Sequence, residues 1–321
     1  MRVLQEPFKK LNIYDEVGGW LAKGDGFVNV TGSSGSGTDR VFLMEAFADD
    51  TPAKMIITYS DRRAEEIYSD LRFYSRDVYM YPAKDILFFS ADVHGNAITR
   101  RRMEVLRKLA TGEKCTIVAT VDALFDKIPA LSYMNRYVIN IHTMDHLNLD
   151  ELKGKLVDLG YEKTDSVEEP GQFAVRGGII DIFPLTEDCP YRIDMWDDEV
   201  DTIKTFDAES QRSIENVDQL VIYPAGEMVL SKDRINRGIR RIKNELASYS
   251  KKLKAEFKTE AYARIKREVA ELEEQLTEFS ATYGVDSYVD YFYSDTVSII
   301  DCLPEKSFVF IDETSKVSDR A

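Results

Sequence analysis

Residues 27–50 read FVNVTGSSGSGTDRVFLMEAFADD. The apolar run FVNVT at 27–31 predicts a short strand. The glycine-rich run Gly32–Gly37 follows, and RVFLMEAFADD then opens a helical pattern. Strand, glycine turn and helix in that order form the setting of a phosphate-binding loop, whose amides cradle phosphates while a Lys and a Ser or Thr do the electrostatic work. The frame Gly32-Ser33-Ser34-Gly35-Ser36-Gly37-Thr38-Asp39 keeps the spacing and the glycines. Its two working side chains are replaced. Thr38 stands in the lysine place, where a hydroxyl cannot neutralise terminal phosphates. Asp39 stands where a hydroxyl would hold magnesium, and a carboxylate there faces phosphates of its own sign. A tight turn capped by Ser or Asp accounts for the same residues, and its bare amides would attract an anion only weakly.

Outward from that loop, KMIITYS (54–60) and VYMYP (78–82) read as strands, and CTIVATVDAL (115–124) reads as a strand running into a short helix. DRRAEEIYSDLRFY (61–74), with Asp61 as its cap, and ITRRRMEVLRKLATGE (98–113), ending near Gly112, read as helices. This alternation predicts a parallel sheet with helices on its faces. Near the other end SFVFIDE (307–313) reads as a buried strand ending in Asp312 and Glu313, the place of a magnesium-coordinating pair in a nucleotide-binding motor. A strand end leading into a helix cap explains that pair equally well.

Near Tyr137 the texture changes. LDELKGKLVDLG (149–160) is a short amphipathic helix, and FAVRGGIIDIFP (173–184), YRIDMWD (191–197) and VDTIKTFD (200–207) predict an antiparallel sheet. From Glu227 to Tyr283 there is no proline, and apolar residues step by three and four. That pattern predicts one long helix or a helical hairpin broken near Ser248–Ser250, with a solvated charged face.

The chain has 321 residues, room for two or three domains, and a net charge of -15. Between Tyr137 and Ala225 stand 20 acids against 7 cations, a net of -13. So acidic a segment repels a phosphate backbone and suits a basic protein surface. No apolar run is long enough to span a membrane, no signal-peptide core opens the chain, and three scattered cysteines form no CxxC, all of which points to the cytoplasm. His142 and His146 are spaced for a shared metal on a helix, but HTMDHLNLD lacks the HExxH glutamate and reads as a linker. WDDEVD (196–201) reads as a hairpin turn with solvated acids. Arg100–Arg102 with Arg107 and Lys108 form a basic cluster that a helix would spread around its cylinder.

YPAKDILFFSADVHGNAITRRRMEVLRKLATGE, TIVATVDALFDKIP, GQFAVRGGIIDIFP, PYRIDMWDDEVDTIKTFDAESQRSI and SFVFIDE together resemble the N-terminal part of the bacterial transcription-repair coupling factors (the Mfd family), and through it the excision-repair protein UvrB. The resemblance implies an α/β architecture of two RecA-like, motor-like lobes. These would be residues 1–136, a degenerate lobe, and 224–321, a truncated one with long helices. An α+β UvrA-binding domain, 137–223, would be inserted between them. It implies that this module has no ATPase activity and no cofactor, and that ATP and magnesium belong to the motor of an intact protein of which this chain is a fragment. RNA polymerase and double-stranded DNA would likewise be met elsewhere in the intact protein. The UvrA-contacting positions of the family fall on Arg176, Arg192 and Trp196. Local pairing of the arginines with a carboxylate such as Asp194, and a core position for Trp196, is the alternative. Unlike UvrB, the stretch from Tyr81 to Ile98 is short and holds Phe88 and Phe89 without a tyrosine cluster, so damage probing is not expected. Two rival functions stay open at this point: an active P-loop nucleotidase with an unusual loop, and a DNA-binding module using the Arg100–Lys108 cluster.

Overall fold

The computed structural model describes residues 2–21, 29–31, 37–47, 51–84, 92–256, 258–278 and 285–321. The chain divides into two units. Met1–Asp85, Glu104–Asp126 and Ser298–Ala321 form one; Ile86–Met103 and Lys127–Val297 form the other.

The first unit is built on a parallel sheet in the order Phe308–Ile311, Ala53–Thr58, Cys115–Thr120, Val78–Tyr81. Every residue of Ala53–Thr58 and Cys115–Thr120 is buried, as expected of central parallel strands covered on both faces. Helices Thr38–Ala46 and Asp61–Tyr74 press Val41, Met44, Ala64, Ile67 and Leu71 onto Ile56, Val78, Met80 and Val118. The cap of the second helix is Ser60 rather than Asp61: the Ser60 side chain accepts from the Arg63 amide. Asn29–Thr31, the described part of the strand expected at 27–31, has no regular structure; residues 27 and 28 lie outside the described residues. So do Gly32 to Ser36 of the glycine run, and Phe88 and Phe89.

Phe308–Ile311 is a half-buried edge strand, not a buried one; Val309 and Ile311 show their side chains to solvent. It pairs Lys54 with Phe308 through Ile57 with Ile311, and so satisfies the outer N–H and C=O groups of Ala53–Thr58. The strand from the region expected as a second lobe therefore completes the first sheet. Among the described residues, 224–297 contribute no separate sheet: their only strand is Thr296–Val297, paired with Ile128–Pro129.

In the second unit, Ile139–His142 pairs antiparallel with Gln219–Ile222, matching Ile139 to Ile222 where the chain leaves and rejoins the same place. Between them lies a six-stranded sheet in the order Ser213–Val217, Glu199–Phe206, Tyr191–Trp196, Ile179–Ile182, Gln172–Arg176, Glu162–Lys163. All neighbours are antiparallel except the last pair. One face carries Phe173, Ile180, Ile182, Ile193, Val200 and Ile203 onto Leu152 and Leu156 of helix Leu149–Asp158. Asn148 caps that helix by accepting from the Asp150 and Glu151 amides.

Helices Lys232–Ala255 and Thr259–Glu278 form the hairpin that follows. The break falls after Ala255 rather than at Ser248–Ser250, because Ser250 returns its hydroxyl to the Ala247 carbonyl at 2.8 Å and the helix runs on. Gly238 is required at its position: a β-carbon there would lie 2.3 Å from the Phe292 ring, which packs with Ile239, Ile242, Leu272 and Leu276. No helix of the described residues is long and apolar enough to cross a membrane.

Candidate functional site

Strand alternation sorts the six-stranded sheet into an apolar face on the helix and an outer face of charged side chains, where Ala174 and Phe206 join a second, smaller apolar cluster. On the outer face the register sets Arg176 opposite Ile179, Asp181 opposite Arg192, and Arg192 opposite Lys204. Asp181 is the pivot. It is 1% exposed, and a carboxylate so placed needs cations or donors on both oxygens. Arg192 supplies a two-pronged contact, Nε to Oδ1 at 2.7 Å and Nη2 to Oδ2 at 2.9 Å, and Arg176 Nη2 adds a third bond to Oδ2 at 2.6 Å. Arg192 is further fixed by the Gln211 carbonyl at 3.3 Å, and its guanidinium stands 4.6 Å from the centre of the Phe206 ring. Its pKa is raised, chiefly by the hydrogen bonds to Asp181. The side chain of Arg176 is 51% exposed, which leaves most of its donors in solvent.

Local pairing of the arginines is thus real, but its acceptor is Asp181. Asp194 instead takes Lys204 Nζ at 2.7 Å and Thr202 Oγ1 at 2.9 Å. Burial alone would push the Asp194 carboxyl up; those two bonds outweigh it and hold it below its ordinary value. Trp196 is no core residue. It ends its strand at 81% exposure, just before the Asp197–Asp198 turn, where Asp197 takes a positive φ of 59°. Ile179 and Ile214 are exposed as well. The face thus offers fixed cations, one of them half-free, with an uncovered indole and two aliphatic side chains.

Asp181 escaped the sequence reading. Its signal was a lone acid inside the apolar run IIDIF (179–183), which demands a buried partner.

In the first unit, Gly37 takes the left-handed conformation at φ 78° and leads into the helix that begins at Thr38. Thr38 Oγ1 is turned to Asp70 at 3.3 Å, and Asp39 accepts from the Arg40 amide at 2.9 Å. Asp312, with its side chain wholly buried, is gripped from two sides. Arg63 Nε lies 2.9 Å from Oδ2, and Arg40 Nη1 lies 3.0 Å from Oδ1, an ion pair without hydrogen-bond geometry. Thr58 Oγ1 adds a long bond at 3.4 Å. The Arg63 guanidinium also reaches the Gly37 carbonyl at 3.5 Å, and a β-carbon on Gly37 would sit 2.7 Å from it. Burial acts to lower the Arg63 pKa, but Asp312 and then Glu66 outweigh it and the pKa is raised. Glu313, at a positive φ of 57°, binds Lys316 and, at 3.2 Å, Arg40; its pKa is lowered, first by Lys316. Neither Arg40 nor Arg63 was singled out in the sequence, since each looks like an ordinary helix cation.

His142 ends a strand and His146 makes an isolated bridge to Glu199, so the two do not share a helix face; each stands beside its own aspartate, Asp145 at 3.5 Å and Asp198 at 3.2 Å. Among the described residues no cluster of His, Cys, Asp and Glu could hold a metal ion. Burial pushes the Cys115 thiol up to about 11, which makes it an inert core residue.

The antiparallel sheet with its charged outer face is a UvrB interaction domain: residues 139–228 match that family. A transcription-repair-coupling factor of Bacillus subtilis (strain 168) is 32% identical over 288 residues, 88% of this chain and 24% of that protein. One from Staphylococcus aureus (strain bovine RF122 / ET3-1) is 26% identical over 296 residues, covering 90% and 24%. The UvrABC system protein B of Fervidobacterium nodosum is 29% identical over 317 residues, covering 92% of this chain and 47% of that one. The chain belongs to the UvrB-like region of the transcription-repair-coupling factors, and spans about a quarter of the length of those it matches.

Proposed function

We propose that the chain is a recruitment module that binds the excision-repair protein UvrA through the outer face of its antiparallel sheet, within a factor that couples repair to transcription. One observation carries the reading: Arg176 and Arg192 are fixed on a buried Asp181 while Trp196, four positions after Arg192 on the same strand, stands uncovered. Preorganised arginines and an exposed indole are the residue types that dominate binding energy at interfaces, because their order is imposed before the partner arrives. The acids around them suit a partner with a basic rim. In this reading 137–223 is the binding insert, and 1–136 and 224–321 are scaffold of motor-like ancestry. RNA polymerase and double-stranded DNA are met by other parts of a longer, ATP-driven protein in the cytoplasm.

The same proposal makes the glycine turn a site that turns over no nucleotide and holds no cofactor. Its support is chemical. The lysine and hydroxyl positions are Thr38 and Asp39, and the carboxylate that would hold magnesium is neutralised by Arg40 and Arg63. Calorimetry against UvrA tests the first half. The double variant Arg192→Ala, Trp196→Ala is expected to lose at least a hundredfold in affinity, on the order of 2 kcal/mol per residue. Undiminished binding would sink the assignment. A fluorescent-nucleotide titration tests the second half, and tight, magnesium-dependent binding with turnover would restore the nucleotidase reading.

A further inference from the structure

Helix Lys232–Ala255 departs from the charge of everything around it. It holds nine Lys and Arg against two acids, a net of +7, in a chain whose total is -15. Its apolar seam, Ile239, Ile242 and Leu253, is buried in the hairpin, and the opposite side is exposed. At 100° per residue, Arg237, Arg240, Arg241, Asn244, Ser248 and Lys251 fall on that opposite side as one stripe, about 21 Å from first cation to last. The neighbouring helix does not neutralise it. Lys243 takes Glu273, but Arg264 and Arg267 consume Glu268 and Glu271 on their own helix. Of the two acids, Asp233 lies in the first turn, and Glu245 accepts from Tyr291 Oη at 2.8 Å. Arg241 gives one donor to the Tyr291 carbonyl at 3.2 Å, which sets its guanidinium at the edge of the stripe.

We infer that this stripe is a docking surface for the phosphate backbone of duplex DNA, read without regard to base sequence, and additional to the DNA contact that the proposed function gives to other parts of a longer protein. Two features favour a nucleic acid over an acidic protein. The stripe is straight and its charged groups are all donors, which is what phosphate contacts require. Between its cations stand Asn244, Ala247 and Ser248, small or polar residues that let a rod approach closely but give a protein partner no apolar anchor. The acidity of the rest of the chain then confines DNA to this helix. The Arg100–Lys108 cluster is not part of it: Arg102 is buried against Glu227 at 2.5 Å and Arg100 pairs with Asp188 at 2.8 Å.

The test is fluorescence anisotropy of the whole chain with a labelled duplex of about 20 base pairs over a salt series. Four phosphate contacts predict a log–log slope of about -3.6. Arg237→Gln, Arg240→Gln, Lys251→Gln should weaken binding by about tenfold or more and reduce the slope to about -1. Its melting curve should match that of the unsubstituted chain, since all three side chains are exposed. Arg101→Gln with Arg107→Gln should leave affinity within about twofold. The inference is overturned if the duplex does not bind at low salt, or if the triple variant binds as the parent does. It is equally overturned if poly-glutamate of matched charge competes as well as unlabelled duplex, which would make the face an acidic-protein dock.

Discussion

Two aspartates in this molecule, Asp181 and Asp312, are buried and each is gripped by two arginines, yet the surroundings give the two clusters opposite characters. At Asp181 one arginine is half-exposed and a bare tryptophan ends the neighbouring strand, so the cluster shows fixed cations outward. At Asp312 the arginines' side chains are 9% and 23% exposed, and their charge is spent on the carboxylate they bind. A buried acid with cations is therefore not informative alone; what decides is whether the cations have donors left over. In the proposed function the first cluster prepares a surface for a partner, and the second is the place where Arg40 and Arg63 neutralise a carboxylate that would otherwise hold magnesium.

The sharpest way to break this comparison is to remove the two acids. Asp312→Ala leaves Arg63 and Arg40 facing each other in a buried site and should cost about 3–5 kcal/mol in thermal or denaturant unfolding. Asp181→Ala should cost somewhat less, about 3 kcal/mol, because Arg176 can turn to solvent, and should abolish UvrA binding as well. If either substitution proves neutral, the arginines do not depend on the carboxylate and the parallel collapses. Trp196→Ala separates binding from stability: affinity should fall by about thirtyfold while the melting temperature stays put, as the side chain packs against little. Restoring the loop with Thr38→Lys and Asp39→Ser should still yield no magnesium-nucleotide binding in a titration, because Arg40 and Arg63 hold Asp312. The smallest effect concerns pH. Glu313 has its pKa lowered from 4.5 by Lys316 and Arg40, so its contribution is present above 4.5 and lost as pH falls through the lower folded value. Glu313→Gln should flatten the acid limb of a stability curve slightly and leave neutral pH stability almost unchanged.

Much of the local structure was legible. The buried strands at 53–58 and 115–120, the helix after Asn148 and the hairpins of the 172–206 region follow from apolar periodicity and from turn residues such as Gly177, at φ 60°. The FAVRGG and PYRIDMW segments singled out Arg176, Arg192 and Trp196 through resemblance, and the structure sets the two arginines on Asp181 and leaves Trp196 exposed. The helix break and the cap at Ser60 were misplaced, because a serine inside a helix and one before it look alike until their hydroxyls find partners.

What sequence by itself determined is the chemistry available: a glycine-rich run followed by Thr38 and Asp39, a strongly acidic middle segment, and arginines with an aromatic at set spacing. Only the tertiary structure decided which groups meet. Asp312 lies 249 positions from Arg63, Phe308–Ile311 completes a sheet begun at residue 53, and Asp181 faces Arg192 across two strands. Such meetings depend on long-range register and burial, where one carboxylate takes whichever cations the packing brings within 3 Å, and no local pattern encodes that choice.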